Sequence, residues 1–134
     1  MLGYGNAVII TGSMEPAIMP GDMVIVHKQS TYKPGDIVTY QGNSSPITHR
    51  ILEKTPDGYI TGGDANNTDD GEIARIRIIG KVVKTIPNAG NAILFLQSPI
   101  GMLILIAGLF LVIEVPKLIE KPRRNYRANR KENI

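Results

Sequence analysis

The sequence contains no cysteine, so disulfides and cysteine-ligated metal sites are excluded and the redox compartment stays open. Aromatic residues are few, at 5% of the chain, and there are two histidines. The 134 residues have room for one domain, and 43% of them are hydrophobic, which is typical of a packed core. The chain therefore has the composition of a single small domain that is not stabilised by disulfides.

The positive charge is concentrated at the C-terminal end. Residues 117–134 hold seven Lys or Arg and two Glu, a net of +5, so residues 1–116 carry −2 of the total of +3. A nucleic-acid-binding domain would instead place its basic residues on a folded surface and interleave them with aromatic residues. The distribution therefore argues against nucleic acid as a partner.

A long segment, Thr85 to Ile113, has no charged residue. Within it, Ser98-Pro99 is typical of a helix start, with serine as the N-cap and proline at the first helical position. A helix from Pro99 to Val115 would rise about 26 Å, close to the roughly 30 Å of bilayer hydrocarbon. We predict one transmembrane helix, with residues 92–97 extending it or lying in the membrane interface. The alternative, a buried core helix, is disfavoured because a small β-domain cannot surround it.

Basic residues follow the apolar segment at once, beginning at Lys117. The positive-inside rule places them in the cytoplasm, which puts the preceding domain outside. We therefore predict an extracytoplasmic β-domain over residues 1–86, an interfacial segment and transmembrane helix over 87–116, and a basic cytoplasmic tail over 117–134. The predicted location is the cell membrane, or the endoplasmic-reticulum membrane if the protein is eukaryotic.

The part before residue 84 has the short apolar runs and turn residues of an all-β domain. Pro20-Gly21-Asp22-Met23-Val24 is echoed fourteen residues later by Pro34-Gly35-Asp36-Ile37-Val38. The repeat predicts successive strands of an antiparallel sheet, each entered through the same turn. Residues 75–83 predict a further strand, with a bulge at Gly80.

Alternation along residues 47–52 predicts a strand with Ile47, His49 and Ile51 on one face. His49 then points with the apolar side chains. After the hairpin signal Asp57-Gly58 and a short strand comes an acidic loop over residues 62–71. The histidine strand and the acidic loop are thus close neighbours along the chain.

One hydroxyl stands in a constrained turn, Thr11-Gly12-Ser13-Met14-Glu15-Pro16. Gly12 allows backbone torsions closed to other residues, and Pro16 forces the chain to turn. Such a bend can present a serine nucleophile, which then needs a base and amide donors for the oxyanion. The alternative is an ordinary turn, so the interpretation depends on a base elsewhere in the chain.

His49 is the better candidate base, because it lies between the serine turn and the acidic loop, whereas His27 ends a strand. An imidazole can accept a serine proton near neutral pH, and a carboxylate can fix its tautomer. The carboxylates available in the loop are Asp64, Asp69 and Asp70. The alternatives are a core histidine and a solvated or calcium-binding loop, although the EF-hand pattern is absent.

Three boxes in this order resemble those of type I signal peptidases of the endoplasmic-reticulum and archaeal kind. They are the nucleophile box Gly12–Pro16, the base box Thr48-His49-Arg50 and the acidic box Gly63–Asp70, and Gly80-Lys81-Val82 matches the strand that follows. The resemblance covers most of residues 7–84. It implies a mainly β, signal-peptidase-like antiparallel domain followed by one C-terminal transmembrane helix.

The resemblance also implies a chemistry. Ser13 would be the nucleophile, His49 the general base and Asp70 the third member with Asp64 in support, while the Thr11 hydroxyl would help the Ser13 amide to form the oxyanion hole. The implied function is a membrane-bound serine endopeptidase that removes signal peptides from secreted preproteins after small residues at −1 and −3. No cofactor or metal is implied; the implied partners are secretory preproteins, the lipid membrane and possible partner subunits.

Such enzymes normally carry a transmembrane segment directly before the nucleophile box, and here about a dozen residues precede Ser13. A truncated or misassigned start, with the leading segment missing, is therefore expected. One alternative function is a non-catalytic membrane-tethered β-domain that presents a binding surface. Another is a LexA-type self-cleaving repressor, which uses a Ser-Lys pair and a DNA-binding domain and is disfavoured by His49 at the base position.

Overall fold

A computed structural model describes residues 3–120 of the chain. The described residues form two compact units, the first ending at Leu94 and the second beginning at Phe95. The predicted basic tail over 117–134 lies outside the described residues from Lys121 onward.

In the first unit, seven strands form one sheet within the described residues. They are β1 Tyr4–Val8, β2 Met23–His27, β3 Ile37–Gln41, β4 Pro46–Lys54, β5 Gly58–Gly62, β6 Glu72–Ala74 and β7 Ile78–Ile86. Their order in the sheet is β1-β2-β7-β3-β4-β5-β6, and each neighbouring pair is antiparallel. The predicted mainly β, antiparallel fold is confirmed.

The two similar turns do lead into strands of this sheet, but the strands are not neighbours. β7 lies between them and pairs with β2 on one side and with β3 on the other. Gly21 and Gly35 have φ of +91° and +92°, a backbone conformation that favours glycine, which explains why both turns contain one. The shared motif therefore reports turn geometry and says nothing about which strands pair.

The strand predicted for residues 75–83 begins later than expected. Arg75–Arg77 forms a 3-10 turn between β6 and β7, and Ile76 is 92% exposed. This part of the prediction is wrong, because alternating Arg and Ile resemble a strand although the chain turns there. A bulge does occur beside Gly80: the β3–β7 pairing passes from Gly80 to Ile78 and skips one residue.

Apolar side chains fill two clusters. The first, here the serine-loop cluster, contains Ile9, Met14, Ile18, Val24 and Val26. The second contains Tyr32, Val38, Tyr40, Ile51, Tyr59, Ile73 and Ile78. Met14 directly follows Ser13 and is 1% exposed, so burial of its side chain holds the serine turn against the sheet.

The C-terminal end of the segment between β1 and β2, residues 9–22, is held by Asp22, which is buried. Its carboxylate accepts one hydrogen bond from the Met19 amide and one from the Asn88 amide, both at 3.0 Å. The Gly21 amide donates to the Ile9 carbonyl at 2.7 Å. These bonds satisfy backbone groups of an irregular segment and hold its two ends together.

Two helices follow, α1 Ala89–Gln97 and α2 Pro99–Ile119. Ser98 caps α2, since its hydroxyl accepts from the Gly101 amide at 3.1 Å, as predicted. Residues 92–97 belong to the separate helix α1. Helix α2 is long and apolar enough to cross a membrane, with a mean hydropathy of 2.4 over a window of which none is buried in the protein.

The burial of Met14 predicts a large stability effect. In the full chain in detergent, Met14→Ala should lower the free energy of unfolding by about 2–5 kcal/mol, because it leaves a cavity beneath the serine turn. Met19→Ala is the matched control: Met19 is 46% exposed, and its truncation should cost less than about 0.5 kcal/mol. Denaturant titrations followed by circular dichroism measure both. Equal losses in the two variants would contradict this account of the loop.

Candidate active site

Ser13 lies in the turn between β1 and β2, and its backbone is tied to the acidic loop. The Ala65 amide donates to the Ser13 carbonyl at 2.9 Å. Gly63 allows this approach, because a Cβ at that position would lie 2.5 Å from the same carbonyl oxygen. The nucleophile box and the acidic box, about fifty residues apart in the sequence, are therefore in direct contact.

His49 lies on β4 and is buried, with 7% of the residue exposed. Its Nε2 is 3.1 Å from the Ser13 Oγ, and its Nδ1 is 2.5 Å from the Asp70 Oδ2. A carboxylate can only accept a hydrogen bond, so Nδ1 carries the proton and Nε2 is left to accept from the serine hydroxyl. His27 lies on β2 instead, where the centroid of its ring is 4.3 Å from that of Tyr4 and the two rings are tilted by 36°.

Asp70 is held at the end of the acidic loop. Its amide donates to the Thr61 carbonyl at 2.8 Å. Its Oδ2 accepts from His49, from the Thr61 hydroxyl at 3.0 Å and from the Tyr40 hydroxyl at 3.2 Å. Sequence reasoning did not single out Tyr40 or Thr61, because each is an ordinary strand residue outside the three boxes.

Asp64 has a different partner from Asp70. Its two carboxylate oxygens accept from the Arg50 guanidinium at 2.8 and 2.7 Å, and another Arg50 nitrogen donates to the Gly35 carbonyl at 2.9 Å. The hydrogen bonds and charge of Arg50 lower the pKa of Asp64 below its ordinary 3.8 and outweigh burial, which raises it. Asp64 therefore connects the acidic loop to β4 without contacting the His49 ring.

The remaining candidate residues from the sequence are Thr11 and Asp69, and only Thr11 contacts Ser13. The Thr11 hydroxyl is 3.3 Å from the Ser13 Oγ. Asp69 does not reach His49, since its carboxylate accepts from the Gly71 amide at 2.9 Å within the loop. Within residues 3–120, no three His, Asp or Glu side chains come together as metal ligands would.

A cleft of about 640 Å³ opens beside Ser13 and His49. One wall is β1 and the residues that follow it, and the other is the beginning of β4. Among the described strands, β1 pairs only with β2, and β4 pairs with β5 only from Arg50 onward. Both walls therefore present backbone N–H and C=O groups that no neighbouring strand occupies.

Residues 6–83 match the Peptidase S24-like family model, which is more than half of the chain, and the chain belongs to this family. It is 33% identical over 108 residues to the signal peptidase complex catalytic subunit SEC11 of Metarhizium acridum, covering 68% of this chain and 63% of the relative. The Sclerotinia sclerotiorum protein of the same name is 36% identical with the same coverage.

A third relative, the signal peptidase complex catalytic subunit SEC11 of Tuber melanosporum, is 32% identical over 135 residues, covering 80% of this chain and 73% of the relative. The predicted resemblance to signal peptidases is confirmed. The chain spans about 63% of the length of the first two relatives.

The Arg50–Asp64 pair predicts an acid-dependent stability. The pKa of Asp64 is lower in the folded state than its ordinary value of 3.8. The ion pair therefore stabilises the fold fully at a pH above 3.8, and this stabilisation is lost as the pH falls through the pKa of the folded state. Asp64→Asn should therefore cost about 1 kcal/mol at pH 7. The difference from wild type should shrink as the pH falls below 3.8.

Thermal unfolding from pH 7 to pH 3 measures this difference. Asp57→Asn is the control, since Asp57 is exposed in the β4–β5 turn and makes no ion pair among the described residues. A gap between wild type and Asp64→Asn that stays constant over this range would contradict the assigned role of the ion pair.

Proposed function

We propose that the protein is a membrane-bound serine endopeptidase that removes signal peptides from secreted preproteins. The observation that carries the proposal is the continuous contact from Asp70 through both nitrogens of His49 to the Ser13 hydroxyl, at 2.5 and 3.1 Å. In this proposal Ser13 is the nucleophile, His49 the general base and Asp70 the residue that orients it. Asp64 supports the site through Arg50.

The chemistry follows from this arrangement. Ser13 Oγ attacks the carbonyl carbon of the scissile peptide bond while His49 Nε2 takes the serine proton. The tetrahedral oxyanion is stabilised by the Ser13 amide and the Thr11 hydroxyl, whose oxygen lies close to the nucleophile. His49 then protonates the leaving amine. A water molecule, deprotonated by the same imidazole, releases the acyl group and restores Ser13.

The cleft supports an extended peptide as the substrate. A strand inserted between β1 and the beginning of β4 can form backbone hydrogen bonds to the unpaired edges of both walls. Side chains that alternate toward the floor of the cleft would meet apolar residues such as Val8 and Ile47. Cleavage after small residues at −1 and −3 rests on the resemblance to signal peptidases and on the names of the relatives.

We propose the membrane topology predicted from the sequence. Residues 1–86 form the extracytoplasmic catalytic domain, residues 87–116 contain an interfacial segment and the membrane span, and residues 117–134 form the cytoplasmic tail. The support is the apolar helix α2 and the net charge of +5 that follows it. Because the relatives are named as subunits of a complex, partner subunits are also proposed.

The catalytic assignment predicts that Ser13→Ala lowers the rate of signal-peptide cleavage by on the order of a millionfold while the melting temperature changes little. Ser44→Ala is the matched control, because Ser44 is an exposed serine between β3 and β4 that does not line the cleft. The rate is measured as cleavage of a purified preprotein, which is monitored by its mobility on a gel and by the mass of the products. Cleavage at the wild-type rate by Ser13→Ala would contradict the assignment of Ser13 as the nucleophile.

Because the natural sequence has no cysteine, the proposed orientation can be tested with single-cysteine variants. In right-side-out vesicles, a membrane-impermeant maleimide should label Asp57→Cys, in the exposed β4–β5 turn, and should label Asn133→Cys only after permeabilisation. Labelling of both variants after permeabilisation is the control for reactivity. Labelling of Asn133→Cys in intact vesicles would reverse the orientation.

A further inference from the structure

We infer that Tyr40 and Thr61 are positioning residues, a pair of buried hydroxyl donors that hold the Asp70 carboxylate against His49. This inference rests on the proposed function, because Tyr40 and Thr61 contact Asp70, the third member of the proposed catalytic triad. Neither residue belongs to the three boxes that carry the family resemblance. Each acts through Asp70 and does not touch the reacting atoms.

The three donors come from three consecutive strands and meet at one atom. Tyr40 is on β3, His49 on β4 and Thr61 on β5, and all three bond to Asp70 Oδ2, at 3.2, 2.5 and 3.0 Å. Tyr40 is 3% exposed and Thr61 is fully buried at 0%. The positions of both hydroxyls are therefore determined by the packed sheet.

The Asp70 side chain is not fixed by a strand, although the Asp70 amide bonds to the Thr61 carbonyl. It lies in the loop between β5 and β6, and its side chain is 23% exposed. Without further contacts, its carboxylate could rotate toward water and leave the imidazole. The two hydroxyls oppose this rotation, because turning Oδ2 away from His49 breaks all three hydrogen bonds at once.

The hydroxyls also suit the electrostatics of the reaction. The Asp70 carboxylate must remain a hydrogen-bond acceptor while His49 carries the serine proton, and hydroxyl donors are suited to such an acceptor. Burial raises the pKa of Tyr40 above its ordinary value of 10.0. The hydrogen bond with the Thr61 hydroxyl offsets part of this increase, and the charge of Asp70 and its hydrogen bond add to it. The phenol therefore keeps its proton near neutral pH and remains a donor.

A purely structural role for these residues would come from packing, since Tyr40 belongs to the second apolar cluster. Paired substitutions separate the two roles. Thr61→Val keeps the branched shape and removes the hydroxyl, whereas Thr61→Ser keeps the hydroxyl and removes a methyl group. Tyr40→Phe removes only the phenolic oxygen. If Thr61 acts through packing, Thr61→Ser should lower kcat more than Thr61→Val does. If Thr61 acts by positioning Asp70, Thr61→Val should lower kcat more.

The kinetic test uses the full chain in detergent and a synthetic preprotein peptide. Thr61→Val and Tyr40→Phe should each lower kcat on the order of tenfold to a hundredfold, with KM within about twofold, because a misplaced base affects the transition state more than binding. Thr61→Ser should retain most of the wild-type kcat even if it melts at a lower temperature. Wild-type kcat in Thr61→Val and Tyr40→Phe would overturn the inference, as would losses that follow the melting temperature across all three variants.

A second readout does not depend on turnover. The proton between His49 Nδ1 and Asp70 should give a downfield proton NMR signal, assigned by its loss in His49→Ala. We expect this signal to shift or broaden in Thr61→Val and Tyr40→Phe and to be retained in Thr61→Ser. An unchanged signal in the first two variants would overturn the inference.

The two readouts keep the inference and the proposed function apart. If the wild-type protein cleaves no preprotein, the proposed function fails and the NMR comparison alone decides the inference. If Thr61→Val does not fold, Tyr40→Phe decides it in both measurements.

Discussion

The register of β4 is the constraint on which the site depends. His49 and Arg50 are consecutive, so their side chains leave the strand on opposite faces, and each meets a different aspartate of the acidic loop. A slip of one residue in the pairing of β4 would move His49 and Arg50 to each other's face of the sheet. The register is held by antiparallel pairing with β3, which places His49 opposite Val38, and by a hydroxyl contact of 2.7 Å between Thr39 and Thr48.

The site is a polar network whose members satisfy one another, and His49, Thr61 and Tyr40 are its buried members. Within residues 3–120, no buried side-chain nitrogen or oxygen lacks a hydrogen-bond partner. This matters because an unpaired buried polar group costs on the order of 1–3 kcal/mol, whereas a satisfied network adds rigidity. The acidic loop therefore has an ordered position: Asp64 is anchored by Arg50, and Asp70 is anchored by donors from the sheet.

Local sequence patterns predicted the features that local geometry determines. Alternation was enough to place His49 among apolar side chains, and the Ser98-Pro99 pair was enough to start the second helix. Alternation defines the two faces of a strand but not its neighbours, so the insertion of β7 between β2 and β3 was not predictable. The same limit concealed Tyr40 and Thr61, because their proximity to the acidic loop depends on the order of the strands.

The central claim is that Ser13 is a nucleophile activated by His49. A peptidyl phosphonate ester with alanine before the phosphorus tests it most directly, because it forms a stable covalent bond only with an activated nucleophile. Mass spectrometry of the digested full-length protein should find one adduct, on Ser13, formed orders of magnitude more slowly in His49→Ala. An adduct on another residue, or labelling of Ser13 at the wild-type rate in His49→Ala, would contradict the account.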